Sequence, residues 1–308
     1  MERGLSSAMV IHRGERWMVD CGEGTQRQLL RSGLGFRRLN AVLLTHGHLD
    51  HILGLGGIVS TFARWEAVDH MRIMGGRWAV RRVRDLMNVV LRAGEVKINL
   101  EYVEVHQGGI HASEHYTVSA FEVVHRGPDC YGFVFEEKSR RPFLAEQATA
   151  LGVPFGPERK RLVAGEPVTL NDGRLIQPDD VLGPAIRGTK LVWIGDIART
   201  DGLHEHVANA DALVVEATFL QSEQDEATRY GHLVAAQSAA LARDSGVAHL
   251  YLTHLSRRYH PKQIEDEARA IFPATTVVSD LDHYTITQHG NEPVIAKQSD
   301  THSDTSPP

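Results

Sequence analysis

The chain has 308 residues, 42% of them hydrophobic and 23% charged, enough to bury a sizeable core in one large domain or two small ones. Thirty-three Lys+Arg against thirty-nine Asp+Glu leave a net charge of -6, which excludes a generally basic nucleic-acid-coating protein but not a local basic patch. No run approaches the ~18 apolar residues of a membrane span, the start MERGLSS lacks a signal peptide's apolar stretch, and two cysteines are too few for a disulfide framework, so a cytoplasmic chain without a membrane partner is expected.

Met9–Asp20 reads as two apolar runs divided by Arg13-Gly14-Glu15, a hairpin signal, followed by the tight turn DCGEGTQ. TQRQLL predicts a short helix, and the continuous apolar run Leu39–Leu44 predicts a buried strand that leads directly into THGHLDH. Ile52–Phe62 is expected to be helical despite Gly54, Gly56 and Gly57. In Trp78–Leu91 the apolar residues Val83, Leu86, Met87, Val90 and Leu91 recur at helical spacing, with Arg77, Arg81 and Arg84 on the other side; Gly94 is expected to close this helix. Strands are expected at Lys97–Val105, Tyr116–Val124 and Gly132–Glu136, as a meander.

The stretch 140–190 is rich in Pro and Gly with little periodicity and reads as an inserted arm. After it come the strand LVWI, then GDI, the strand ALVV, then EATF, a helix over Leu233–Ser245, and the strand HLYL before TH; Pro261 opens a last helix. Predicted strands thus end repeatedly on potential ligands: His46, His125, Asp196, Glu216 and His254. A domain over 1–290 is expected, with a polar, disordered tail over 291–308.

Eighteen histidines stand in the chain, and THGHLDH gathers His46, His48, Asp50 and His51 after one buried strand. Such a group repels and desolvates itself unless a cation neutralises it, so it reads as a metal site. HxHxDH after an apolar strand resembles the signature of the metallo-β-lactamase superfamily, whose α/β fold is an αββα sandwich with one or two metals at the edge of two sheets. With DCGEGTQRQLL upstream and VVHRGPDCYGF, VWIGDIARTD, VVEATF, GHLVAAQSAALA and LTHLSRRY downstream, the chain from Glu2 to about Ile286 resembles the ribonuclease Z family of transfer-RNA 3′-processing endonucleases.

Carried over position by position, the resemblance implies two Zn2+ ions, with Mn2+, Fe2+ or Co2+ also compatible with His/Asp donors. It makes His46, His48 and His125 ligands of one ion, Asp50, His51 and His254 ligands of the other, and Asp196 the bridge. His106, His111 and His115 lie near His125, but only His125 ends a convincing strand and precedes the matching CYGF. Asp50 is expected to orient the attacking water, and Glu216 to hold His232 as the proton donor to the leaving oxygen. On the residues alone, Glu216 reads as a strand-end cap and His232 as a helix-start residue; the resemblance reverses that preference.

Arg159-Lys160-Arg161 inside the arm resembles the family's flexible element that grips transfer RNA away from the chemistry; a solvated charge run is the plain alternative. The implied partners are precursor transfer RNA and a second copy of the chain, as a homodimer. The family opens with an additional strand before the segment matching Glu2-Arg3-Gly4, so that strand is expected to be missing here; Gly4 and GDI depart from the usual Asn and GDT. Two other functions stay in view: a superfamily phosphodiesterase or esterase acting on a small substrate, and a catalytically impaired RNA-binding protein with structural zinc.

Overall fold

The computed structural model of the chain describes residues 3–65, 68–91, 98–289 and 292–298. The first half runs β1 (Ala8–His12), β2 (Glu15–Val19), α1 (Thr25–Arg31), β3 (Leu39–Leu44), α2 (Leu49–Ile52), α3 (Gly54–Trp65), β4 (His70–Gly75), α4 (Arg77–Val90) and β5 (Asn99–Glu104). Its strands form a five-stranded sheet in the order β1-β2-β3-β4-β5. The β1–β2 turn uses Arg13 at φ 48° and Gly14 at φ 83°, both left-handed, the conformation that matches the twist of a two-residue hairpin.

Next come β6 (Gly108–Ala112), β7 (Tyr116–Glu122) and β8 (Tyr131–Glu137), then the arm with α5 (Ala145–Ala150), α6 (Pro157–Val163), β9 (Val168–Thr169) and β10 (Leu175–Ile176). After the arm follow β11 (Lys190–Trp193), α7 (His204–Val207), β12 (Ala212–Glu216), α8 (Gln224–Tyr230), α9 (Ala235–Asp244), β13 (Leu250–Thr253), α10 (Pro261–Ile271) and β14 (Thr275–Val277). These give a seven-stranded sheet ordered β14-β13-β12-β11-β8-β7-β6, and β15 (Tyr284–His289) pairs with β16 (Glu292–Lys297) as a separate hairpin.

The two large sheets face each other across a core in which Trp17, Val19, Leu43 and Met74 of one meet Tyr116, Val118, Phe133 and Phe135 of the other. On the outer face of the first sheet, Met18, Val42 and Leu44 pack on Ile58, Phe62, Val83 and Met87 of α3 and α4. On the outer face of the second, Val192, Leu213 and Leu252 pack on Ala239, Leu241 and Ile264 of α9 and α10. Both faces of each sheet are covered, which is why β3 and β12 read as unbroken apolar runs rather than alternating ones. The result is the αββα sandwich that the sequence led us to expect.

Four expectations change. HMRIMG is a strand, β4, and GGIHA another, β6; both are short and Gly-containing, so periodicity did not announce them. The predicted meander is split: β5 pairs parallel with β4 in the first sheet, while β6, β7 and β8 run antiparallel in the second, where β8 also meets β11 antiparallel. The arm is folded, with Ala148, Val153, Leu162, Val168, Ile176, Val181 and Leu182 forming a core of its own. Finally, the expected disordered tail from Asn291 is corrected for 292–297, which form β16; Lys97, Gly94 and 299–308 lie outside the described residues.

Candidate metal centre

The chemical groups sit at or just beyond strand ends on one rim of the sandwich, except His232, which lies between α8 and α9. β3 is buried at five of six positions, so the chain emerges from the sheet only at Thr45 and turns THGHLDH across its rim. Asp20, at the end of β2, anchors that loop. Its carboxylate accepts from Thr45 N and Thr45 Oγ1 at 2.8 Å each and lies 2.8 Å from His51 Nδ1. Asp196 follows β11, Glu216 ends β12 and His254 follows β13. Asp20 and His254 hold left-handed backbones at φ 56° and 51°, a cost of about 1–3 kcal/mol per residue that the surrounding hydrogen bonds sustain.

The side chains converge in two main sets, and a third grouping, Asp196, His232 and His254, overlaps them. His46, His48, His125 and Asp196 place donor atoms within 4.8 Å of one another, as do Asp50, His51 and His254. His46 Nε2 lies 2.9 Å from His48 Nδ1, which is 3.2 Å from His125 Nε2. Asp196 stands between the sets, with Oδ1 3.5 Å from His51 Nε2 and Oδ2 3.4 Å from His254 Nε2 and 3.9 Å from His46 Nε2 and His125 Nε2. Asp50 Oδ2 is 3.5 Å from His254 Nε2.

Electrostatics separate the two sets. Burial pushes His46 down to about 2 and also lowers His48 and His125, so the first set consists of neutral imidazoles with lone pairs available. At His254 burial is outweighed by Asp196 and Asp50, which push it up to about 9; His51 is raised for the same reason, by Asp196 and Asp20. Asp50 is held below the usual carboxylate range by its contact with His254. Asp196 is held well below that range because His254, His51 and His46 overcome its burial.

The donors fit a metal. His51 Nε2 and Asp196 Oδ1 are buried, face each other at 3.5 Å, and have no hydrogen-bond partner among the described residues. Leaving a buried polar atom unpaired costs about 1–3 kcal/mol, and a cation between these two removes that cost. The outer hydrogen bonds also suit ligation: His46 Nδ1 meets Thr45 Oγ1 at 3.0 Å, His125 Nδ1 meets Gly231 O at 2.8 Å, and His254 Nδ1 meets Thr218 Oγ1 at 3.1 Å.

Glu216 and His232 meet beside this centre. His232 Nδ1 lies 2.9 Å from Glu216 Oε1, which also accepts from Ile197 N at 2.8 Å, and Thr218 donates to the other oxygen. His232 Nδ1 is 3.9 Å from Asp196 Oδ2. All nine rim residues singled out in the sequence therefore come together, although they span positions 46 to 254. The sequence reading missed Asp20, Thr45 and Thr218, which meet the donor histidines from behind; all three stand in quoted motifs, DCGEGTQ, THGHLDH and EATF, which were the signals that pointed near them.

The arm residues lie elsewhere, on α6, and among the described residues no hydrogen bond or ion pair links them to the rim. Arg159 is engaged locally: its guanidinium lies 3.7 Å from the Phe155 ring centroid and donates to Val153 O at 3.0 Å. Arg161 pairs with Glu166 at 3.1 Å, and Lys160 is exposed.

Fold and donor set together define a metallo-β-lactamase superfamily protein. The model of the metallo-beta-lactamase superfamily matches residues 1–112, and that of the beta-lactamase superfamily domain matches residues 149–255. The short form of human tRNase Z shares the fold at a TM-score of 0.63 and 22% identity, over 91% of this chain and 92% of that one. Ribonuclease Z of Bradyrhizobium diazoefficiens is 46% identical over 92% of this chain and 95% of its own length. Ribonuclease BN of Erwinia tasmaniensis is 34% identical over 91% and 93%. The chain belongs to the ribonuclease Z family and is a metal-dependent endoribonuclease. No helix among the described residues is long and apolar enough to cross a membrane.

Proposed function

We propose that the chain removes the 3′ trailer from precursor transfer RNA and leaves a 3′-hydroxyl on the transfer RNA, as a zinc-dependent cytoplasmic homodimer. The observation that carries this reading is the Glu216–His232 pair set 3.9 Å from Asp196, at the junction of two complete donor sets. The names of the relatives supply the substrate class: ribonuclease Z in Bradyrhizobium and tRNase Z in the human fold neighbour.

His46, His48 and His125 would hold one zinc and Asp50, His51 and His254 the other, with Asp196 shared. When bound, the pair supplies hydroxide at neutral pH and positive charge beside the phosphoryl oxygens. Asp50, 42% exposed at its side chain, is open to solvent and would orient the attacking water. Glu216 is fully buried and accepts from His232 Nδ1–H, which fixes the ring; as the imidazolium, His232 would give its Nε2 proton to the departing ribose 3′-oxygen and return to the neutral form. The arm, with exposed Lys160, holds the RNA body at a distance from the cut; Arg159 and Arg161 serve it by shaping α6 and its surroundings.

Purified protein given unprocessed transfer RNA and bis(p-nitrophenyl) phosphate tests the reading, with the new ends mapped. Cleavage at the trailer junction is expected, and His232→Ala should lower kcat ~10²–10⁴-fold at unchanged metal content. Hydrolysis of the small diester alone would instead make the chain a small-substrate phosphodiesterase, and binding of transfer RNA without cutting would make it an impaired RNA-binding protein.

A further inference from the structure

Metal-ligating imidazoles are ordinarily oriented by a hydrogen bond to their second ring nitrogen. Four of the five here have one: His46 to Thr45, His51 to Asp20, His125 to Gly231 and His254 to Thr218. His48 differs. Its Nδ1 turns inward toward His46 and His125, and among the described residues its Nε2 has no hydrogen-bond partner.

Trp78, in the first turn of α4, stands against that ring instead. The two ring centroids are 5.4 Å apart with planes at 89°, an edge-to-face contact. Trp78 is also wedged between the two loops that carry the first donor set. A Cβ at Gly47, between His46 and His48, would come within 2.8 Å of the indole, and a Cβ at Gly127, two residues after His125, within 2.7 Å. A Cβ at Gly76 would strike Asp129 O at 2.1 Å, so the start of α4 is fitted closely to the His125 loop. One turn further on, Arg82 donates to Gly47 O at 2.8 Å while its guanidinium lies 5.4 Å from the Trp78 ring centroid.

We propose that Trp78 is a positioning residue for the metal centre: it orients His48 by ring packing where a hydrogen bond is missing, and sets the spacing of the His46–His48 and His125 loops. The inference rests on the metal-binding reading of the first donor set. It also explains the glycine at position 47, where any side chain would push the indole away from His48; at Gly127 the backbone at φ 123° requires glycine in its own right. Among the described residues no ring contact or hydrogen bond joins Trp78 to the second set, Asp50, His51 and His254, whose two imidazoles meet Asp20 and Thr218 instead.

The test uses zinc alone. Wild type, Trp78→Ala, Trp78→Leu, Trp78→Phe and His48→Ala are loaded with zinc and challenged with a chromogenic chelator, while zinc content and circular dichroism are recorded. Trp78→Ala is expected to weaken one zinc site about 10–100-fold, the site that His48→Ala abolishes, and to leave the other site at wild-type affinity. Trp78→Phe, which keeps a ring edge on His48, should recover most of the loss. Trp78→Leu fills the wedge without a ring, so it separates orientation from packing if Trp78→Ala fails to fold, and should resemble Trp78→Ala. Folded Trp78→Ala or Trp78→Leu releasing zinc like wild type would overturn the proposal, as would equal weakening of both sites. A wild-type chain that takes up no zinc overturns the metal reading itself, whatever the variants do.

Discussion

The rim cluster and the arm both concentrate charged and polar side chains, but they satisfy them in opposite ways. In the arm, Arg141 pairs with Asp179, Arg161 with Glu166, Arg174 with Asp172, and Arg159 rests on Phe155. Those groups are half-exposed and balanced by near neighbours, the usual state of a folded surface. At the rim, five imidazoles and two aspartates converge from distant parts of the chain, and His51 Nε2 and Asp196 Oδ1 remain buried without a hydrogen-bond partner among the described residues. Charge density alone therefore says little about function; two buried donor atoms left unpartnered while facing each other inside a cluster of histidines say much more, since single unpartnered atoms such as Tyr251 Oη also occur outside that cluster.

The most severe way to break this contrast is Asp196→Ala, which removes the group shared by the two donor sets. Zinc content measured by elemental analysis should fall at both sites, and RNA cleavage should drop by ~10³-fold or more, because the cations supply several kcal/mol of transition-state stabilisation. Retention of both metals would show that the rim is held together by something other than a shared carboxylate.

A pH series sharpens the contrast next. In the metal-free chain His254 is pushed up to about 9, so the stability it contributes is full below its unfolded value of ~6.5 and is lost as pH rises through 9. Zinc must displace that proton, so the gain in melting temperature on adding zinc should grow between pH 7 and 9. His46, lowered by burial to about 2, acts on the other side: its contribution is present above ~6.5 and is lost as the solution is acidified toward 2. A zinc-dependent gain that stays flat from pH 7 to 9 would contradict the charge assigned to His254.

The arm should respond least. Lys160→Ala is expected to reduce the log–log salt dependence of transfer-RNA binding by about 1 while leaving hydrolysis of a small diester unchanged. Removing the whole segment 153–168 is a poorer experiment, since Val153, Leu162 and Val168 belong to the arm's own core and their loss would unfold it. A Lys160→Ala variant with an unaltered salt slope would leave the arm's cations with only their local role.

The donor residues were legible in sequence because a metal site needs several of a few residue types, and HxHxDH packs four of them behind one buried strand. Long apolar runs likewise announced β3, β12 and α4, whose periodicity reflects burial on one or both faces. β4 and β6 were missed because short Gly-containing strands owe their existence to a neighbouring strand, β4 to β3 and β6 to β7. The same reason put β5 in the wrong sheet, since its parallel partner β4 lies beyond α4; β16 pairs with its neighbour β15 and was missed because its polar composition reads as tail.

By itself, then, the sequence determined which chemistry this chain carries: the identity of the donors and the strand ends that bear them. Only the tertiary structure decided which groups come together, at which histidines burial disfavours protonation, and that Asp20, Thr45, Thr218 and Trp78 pack against them. The physical reason is range. Residue type and periodicity act over a few positions, whereas desolvation, Coulomb fields and ring packing act through space between segments as far apart as positions 20 and 254.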